Sequence, residues 1–400
     1  MQREMLVAAY LFVFKVLFAL FKMMPLQRKV TFVVSYGDNA TYIYEEMLRQ
    51  GLQYQVVFLY KETCQYNLGA YPEAKAFPFE TASPLNMLRA AYHLATASQV
   101  IVDNYFGFLA GVRFKKGVQC VQTWHAAGAV KKFGMMTPSF YRRSGKAQKR
   151  FRRVYANFHQ IVVGSDLQGE IYKEAFGVEE HQLLKTGIPR ADLFFDEKRK
   201  QDILSRLLKE NPKLRGKRVI LYAPTFRDKE LKEFRLQLDM ERMYQALHED
   251  YILVMKLHPA IRHLMEYDRR YETFVYDYSQ HPDINDLLLL TDILVTDYSS
   301  IPVEFSLLGK PMIFFAYDLQ RYRKKRGIIG RYEDVPGPVV FHTEALIEAI
   351  RSNQFDYERI QRFAEDWNQY SNGRASEGFV EAMRRQLGGR HTGGLPPERP

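Results

Sequence analysis

Cysteine is scarce in this chain: Cys64 and Cys120 are the two thiols in 400 residues. So few leave no disulfide framework and no thiolate zinc site, and they suit a reducing compartment. Three familiar signatures are missing as well. There is no G-x-x-x-x-G-K-[ST] loop, no G-x-G-x-x-G turn and no G-x-S-x-G elbow. ATP-driven work, dinucleotide binding and serine hydrolysis therefore lack support. No ligand-type residue stands near His125 at metal spacing, and nothing in the sequence calls for a cofactor or a metal.

What the chain does have is length, apolar residues and positive charge. Four hundred residues are too many for one ordinary core, and 46% apolar residues suffice for two. The net charge of +11 implies an anionic partner, whether nucleic acid, lipid or a phosphorylated substrate. The N-terminus, "MQREMLVAAYLFVFKVLFALFKMM", is apolar but interrupted by Lys15 and closed by Lys22. It lacks a small-residue cleavage site, so a signal peptide is not expected. A lysine at mid-span suits a helix lying in the membrane interface better than one crossing the bilayer.

After Pro25 buried-strand runs alternate with amphipathic helical stretches, the mark of βαβ units and parallel sheets. "KVTFVVSYG", "YQVVFLY", "QVIVDNYFG" and "GVQCVQTWH" are strands of a first domain. "RVILYAPTF", "DYILVMKLHP", "DILVTDYSS" and "PMIFFAY" belong to a second. The expected organisation is an interfacial helix over 1–25, a Rossmann-like domain over 26–198 and a second over 199–352. Helices packing back follow over 353–388, and a disordered tail over 389–400. Ligands in such doubly wound sheets bind beyond the carboxyl ends of the strands.

Several residues fall at those ends. In "VTDYSSIPVEF", Thr296 and Asp297 shape the loop after a strand. Ser299 and Ser300 stand at a helix start near Pro302, where backbone N–H groups suit a phosphate. Glu304 follows one turn on, within expected reach of a ribose diol. Pro224 and Thr225 end the first strand of the second domain, and Arg326 could grip a pyrophosphate bidentately. His258 and His125 each end a strand; His125 has no nucleophile partner, which suits general-base chemistry on a hydroxyl, and His258 is a candidate donor to charge growing on phosphorus. Residues 131–153 carry nine Lys/Arg and no acid, interleaved with Phe133, Met135, Met136, Phe140 and Tyr141. Lys131, Lys132, Arg142, Arg143, Lys149 and Arg150 are expected to face anionic lipid or an acceptor phosphate. No nucleic-acid motif accompanies them.

In this order, "QTWHAAGAVKKFG", "VVGSDLQGEIYKEAFGV", "KTGIPRADLFF", "LYAPTFRD", "KLHPAI", "VTDYSSIPVEFSLLGKPMIFFAYDL" and "KKRGI" resemble the CDP-glycerol glycerophosphotransferase family of wall teichoic acid synthesis. The resemblance runs from about residue 28 to 385. Compact length, "DNYFGF" and the short apolar N-terminus are most similar to the members that prime a polymer. One departure is "WHA" where many relatives read "WHG", which narrows the acceptor side by a methyl. The resemblance implies a GT-B-type fold of two Rossmann-like domains, and it implies that His125 and His258 are essential.

It further implies transfer of sn-glycerol-3-phosphate from CDP-glycerol, with CMP leaving. The acceptor would be the N-acetylmannosamine of an undecaprenyl-diphosphate-linked disaccharide, met at the cytoplasmic face of the membrane by a peripheral enzyme. Implied partners are CDP-glycerol, that acceptor, anionic lipid and other enzymes of the same route, without nucleic acid. Rival readings are a glycerol-phosphate or ribitol-phosphate polymerase, a UDP-sugar glycosyltransferase and a non-catalytic membrane adaptor.

Overall fold

The computed structural model describes residues 2–225, 227, 235–257 and 268–388. The candidate His258 and the expected disordered tail lie outside these residues. The chain divides into two compact units. The first takes residues 1–125, 134–192 and 370 onward; the second takes 126–133 and 193–369.

The first unit is built on seven strands: β1 (Gln27–Val34), β2 (Gln55–Tyr60), β3 (Ala74–Pro78), β4 (Ala97–Val102), β5 (Gln119–Gln122), β6 (Gln160–Val162) and β7 (Leu183–Leu184). All pair in parallel, in the order β3-β2-β1-β4-β5-β6-β7. Strands covered on both faces need continuous apolar runs rather than alternation; Val30 to Val34 of β1 and all of β4 are buried. Around them lie α1 (Gln2–Phe21), α2 (Asp38–Arg49), α3 (Pro84–Ala95), α4 (Pro138–Tyr141), α5 (Gly145–Tyr155) and α6 (Asp166–Phe176).

Helix α1 docks lengthwise. Phe14 and Phe18 are buried and meet Phe108 and Phe114, and Phe21 meets Tyr92. Gly111 allows this close approach, because a Cβ there would sit 3.3 Å from the Leu11 carbonyl oxygen. The outward side of α1 is also apolar, with Met5, Leu6 and Phe12 about two-thirds exposed.

The second unit holds six parallel strands: β8 (Arg218–Ala223), β9 (Tyr251–Met255), β10 (Val275–Asp277), β11 (Ile293–Thr296), β12 (Met312–Phe315) and β13 (Val339–Val340). Their order is β10-β9-β8-β11-β12-β13. Its helices are α7 (Glu197–Glu210), α8 (Met240–Leu247), α9 (Ile284–Leu290), α10 (Ile301–Phe305), α11 (Leu319–Arg326), α12 (Thr343–Ser352) and α13 (Tyr357–Trp367). Both sheets thus reverse direction once, between β1 and β4 and between β8 and β11. Those switch points are where an open α/β sheet leaves a crevice for a ligand.

Two assignments differ from the expected organisation. The stretch 353–388 is not one block: α13 belongs to the second unit, while a last helix, Ala375–Gly388, belongs to the first. Its first amides, Ala375 N and Ser376 N, donate to the Asp192 carboxylate (2.8 Å each). Lys131 and Lys132, expected in the basic segment of the first domain, fold with the second unit. Lys131 bridges Ile328, and two main-chain bonds flank that rung: Lys132 N to Gly327 O (3.2 Å) and Ile329 N to Val130 O (2.9 Å).

Candidate functional site

At the switch point of the first sheet the residue after β4 is Asp103. It is fully buried, and its carboxylate accepts from the amides of Ser35, Tyr36 and Gly37 at 2.8–3.0 Å. The loop leaving β1 is therefore tied across the crevice to the end of β4. Burial raises the Asp103 carboxyl to about 6, against the three amides that pull it down.

The Asp103 main-chain carbonyl lies 3.1 Å from His125 Nδ1. A carbonyl oxygen can only accept, so Nδ1 carries a proton in this contact. Tyr36 and Trp124 both pack near the imidazole, with ring centroids 4.8 Å and 4.4 Å from its own.

Trp124 is left-handed, with φ 56°. A bulky residue in that region costs on the order of 1–2 kcal/mol and persists where its surroundings over-determine it. Here they do. The amide of Trp124 donates to Gln122 Oε1 (2.8 Å), and its carbonyl accepts from Asn39 Nδ2 (3.1 Å). The next carbonyl, that of His125, accepts from Arg190 Nη1 (3.2 Å). Arg190 is itself paired with Asp38, and its amide donates to Asn39 Oδ1 (3.1 Å).

The second switch point repeats the arrangement. Asp297, immediately after β11, is buried and accepts from Thr225 N (2.8 Å) and Tyr298 N (2.6 Å). Thr296 Oγ1 donates to Ala223 O (2.7 Å). What differs is a cation. Arg227 Nη2 lies 3.0 Å from Asp297 and 2.8 Å from Asp318, and its guanidinium stands over the rings of Tyr298, Tyr317 and Tyr322 at 5.0–5.2 Å. Burial alone would weaken the Arg227 proton, but Asp318 and Asp297 hold its pKa above the ordinary value. Asp318 in turn is held down by Arg227 in spite of its own burial.

Lys131 completes this cluster. Its ammonium sits in a recess crowded by protein, which lowers its pKa, while Asp297 pulls the other way and Arg326 and Arg227 add to the lowering. Its side chain and that of exposed Arg326 still reach solvent. Ser299 Oγ accepts from Ile301 N (3.2 Å) at the start of α10, which is only five residues long. Pro224 and Thr225 are half-buried beside Asp297. Glu304 is buried and accepts from Asn285 Nδ2 (3.2 Å).

The second unit thus gathers Thr225, Thr296, Asp297, Arg326 and also Lys131. Lys149 and Arg150 lie on α5 of the first unit with Arg142 and Arg143 just before it, and Arg143 stands over Phe151. Sequence reasoning missed Asp103, Asn39, Arg190 and the role of Arg227. For Asp103 a signal existed: "VIVDNY" closes a buried strand with an aspartate, as "ILVTDYSS" does. Among the described residues no group of three or more His, Cys, Asp or Glu side chains could hold a metal ion.

Twin parallel sheets with crevice-spanning aspartates define an α/β protein of the doubly wound class. The fold is similar to that of the wall teichoic acid polymerase TagF, with TM-score 0.82, 23% identity and 98% of each chain covered. It is more distantly similar to a UDP-GlcNAc 2-epimerase from Neisseria meningitidis (TM-score 0.57, 15% identity, 89% of this chain and 100% of that one). Fold alone therefore does not choose the chemistry.

The family does. Residues 16–384 match the model of the CDP-Glycerol:Poly(glycerophosphate) glycerophosphotransferases, and the chain belongs to that family. It is 34% identical to the teichoic acid glycerol-phosphate primase of Bacillus subtilis, over 94% of this chain and 97% of that one. It is 31% identical to the teichoic acid ribitol-phosphate primase of Bacillus spizizenii, over 89% and 90%. The poly(ribitol-phosphate) polymerase of B. spizizenii is 33% identical, over 91% of this chain but 57% of its own length. The protein is an enzyme, a phosphotransferase of the CDP-glycerol family.

Proposed function

We propose that the protein transfers one sn-glycerol-3-phosphate unit from CDP-glycerol to a hydroxyl of a membrane-anchored disaccharide diphosphate, the N-acetylmannosamine of an undecaprenyl-diphosphate-linked acceptor, and so primes a teichoic acid. The observation that supports the priming reading is 34% identity to a glycerol-phosphate primase over 94% of this chain. In this reading the two units form a GT-B-type transferase.

The acceptor oxygen attacks the glycerol-bearing phosphorus, a new P–O bond forms, and the bond to the bridging oxygen breaks to release CMP. The hydroxyl proton goes to His125 Nε2, the atom that the Nδ1–carbonyl bond leaves as the base. Charge on the diphosphate is met by Lys131 and Arg326, with Ser299, Ser300 and His258 as further donors and Glu304 on the ribose. Lys131 is assigned here to the donor side, because it folds beside Asp297 and Arg227. Attachment to the cytoplasmic membrane face through α1, Arg142 and Arg143 before α5, and the basic residues of α5 would bring the enzyme to its anchored acceptor.

The ribitol-phosphate primase relative favours a second reading, in which the donor is CDP-ribitol. CMP release is followed with each CDP-alditol and a short-tailed acceptor, and the product is weighed. A gain of one glycerol phosphate supports the priming reading. A ladder of additions makes the enzyme a polymerase, and release with CDP-ribitol alone moves it to the ribitol branch.

A further inference from the structure

Helix α5 carries its basic residues at a helical period. Lys146, Lys149, Arg150 and Arg153 fall at i, i+3, i+4 and i+7, one face of the helix, while Ala147, Val154 and Tyr155 are buried on the other. The basic face does not look onto open solvent alone. It forms one wall of a groove of about 1220 Å³ whose opposite wall is α1. The floor is apolar, from Ala8, Leu11, Phe12 and Phe18 to Val112 and Ala156, and Lys15, Lys22 and Arg113 also line the groove. Among the described residues lining it Glu4 is the only acid, and Arg150 holds that acid at 3.1 Å. This bond ties α5 to α1, and the close approach at Gly111 fixes α1 against the unit. The groove is a built feature rather than a loose basic loop.

Its chemistry is divided lengthwise: an apolar floor, and beside it a row of four cations against the single acid Glu4 among the described lining residues. We propose that this groove seats one anionic phospholipid of the bilayer, an acyl chain along the floor and the phosphate on Lys146, Lys149 and Arg153. The inference rests on the membrane attachment proposed above and goes further by assigning a defined seat. Charge complementarity selects a lipid that is anionic over one that is zwitterionic. Exposed apolar residues of α1 outside the groove, Leu6, Val13 and Val16, keep it at the depth of the headgroups. Membrane attachment by two weak signals, one apolar and one basic, is then concentrated at a single lipid.

Full-length protein in mild detergent is mixed with phosphatidylglycerol and weighed by native mass spectrometry, without CDP-glycerol. One lipid per chain is expected, and phosphatidylcholine at the same concentration should give little. Replacing the row (Lys146→Gln with Lys149→Gln and Arg153→Gln) should lower lipid capture on the order of 100-fold. Filling the floor (Ala8→Trp with Ala19→Trp) should also lower it, although the protein becomes more apolar. If the tryptophan variant does not fold, the charge variant decides by itself.

Equal capture of phosphatidylcholine, or capture that ignores the charge variant, overturns the proposal. So does displacement of phosphatidylglycerol by inorganic phosphate alone or by an equimolar polyprenyl diphosphate, which would make the groove an anion site or an acceptor site. Sedimentation with phosphatidylglycerol vesicles separates the two levels. Wild type that fails to sediment sinks the attachment reading, whereas sedimentation without the one-lipid adduct sinks only the seat.

Discussion

Asp103 and Asp297 hold the same place in two sheets. Each follows the fourth strand of a 3-2-1-4 series, is buried, and accepts backbone amides from the loop after the first strand. Each therefore closes the crevice at a switch point. The surroundings then diverge. Asp103 meets amides, and its carbonyl accepts from Nδ1 of a histidine with two aromatic rings packed near it. Asp297 meets a guanidinium caged by three tyrosines, with Lys131 and Arg326 close by. One scaffold thus holds a histidine at one switch point and a cluster of cations at the other, the division that the proposed reaction uses. A phosphoryl transfer needs both, one to take a proton and one to meet the charge on phosphorus.

The sharpest way to break this division is at the base. His125→Ala should lower CMP release by about 10²–10⁴-fold, while CDP-glycerol affinity, measured by calorimetry, stays at the wild-type value. Weakened donor binding in that variant would mean that the histidine serves the donor and that the two crevices do not divide the labour. On the other side, Arg227→Met leaves Asp297 and Asp318 buried without their cation. Breaking one partner of such a buried pair costs about 3–5 kcal/mol, read as a fall in urea-unfolding stability. Little loss there would show that the tyrosine cage, rather than the ion pair, holds the loop.

Asp103 also gives a pH test. Its carboxyl stands at about 6 in the folded chain against 3.8 for the ordinary group. Between those values the native state binds the proton more tightly than the unfolded chain. Its contribution to stability is therefore complete below about pH 4 and lost as pH rises through 6. Asp103→Asn removes that titration, so the variant should gain on wild type by up to about 3 kcal/mol between pH 4 and 7. Parallel stability curves for the two proteins would rule out a raised carboxyl.

Much of this was legible in the sequence because parallel strands, buried on both faces, write themselves as uninterrupted apolar runs. The ends of those runs pointed to His125, Thr225 and Asp297 before any coordinates. Asp103 is marked in the sequence as Asp297 is, by an aspartate closing a buried strand, but "VIVDNY" lacks the serines and the following helix start that make "ILVTDYSS" stand out. Arg190 and Asn39 carried no local mark, since their meaning lies in reaching across 151 positions to each other and onto the carbonyls of Trp124 and His125. The basic run 131–153 misled in a different way. Charge is a composition signal that follows chain order, whereas the rung at Lys131–Ile328 is a long-range pairing that takes two lysines out of that run.

That rung supports the mildest prediction. Lys131 and Lys149 read alike in sequence, yet one stands beside Asp297 and the other on the α5 stripe. Losing one cation at an accessible phosphate contact costs about 1 kcal/mol, or roughly fivefold in an equilibrium constant. Lys131→Gln should therefore raise KM for CDP-glycerol by about that factor and leave vesicle binding alone. Lys149→Gln should do the reverse. Equal effects of the two substitutions on both readouts would dissolve the division into a donor unit and a membrane unit. A crossed pattern would locate it at single-residue resolution, because the two lysines differ in which unit they fold with and not in charge.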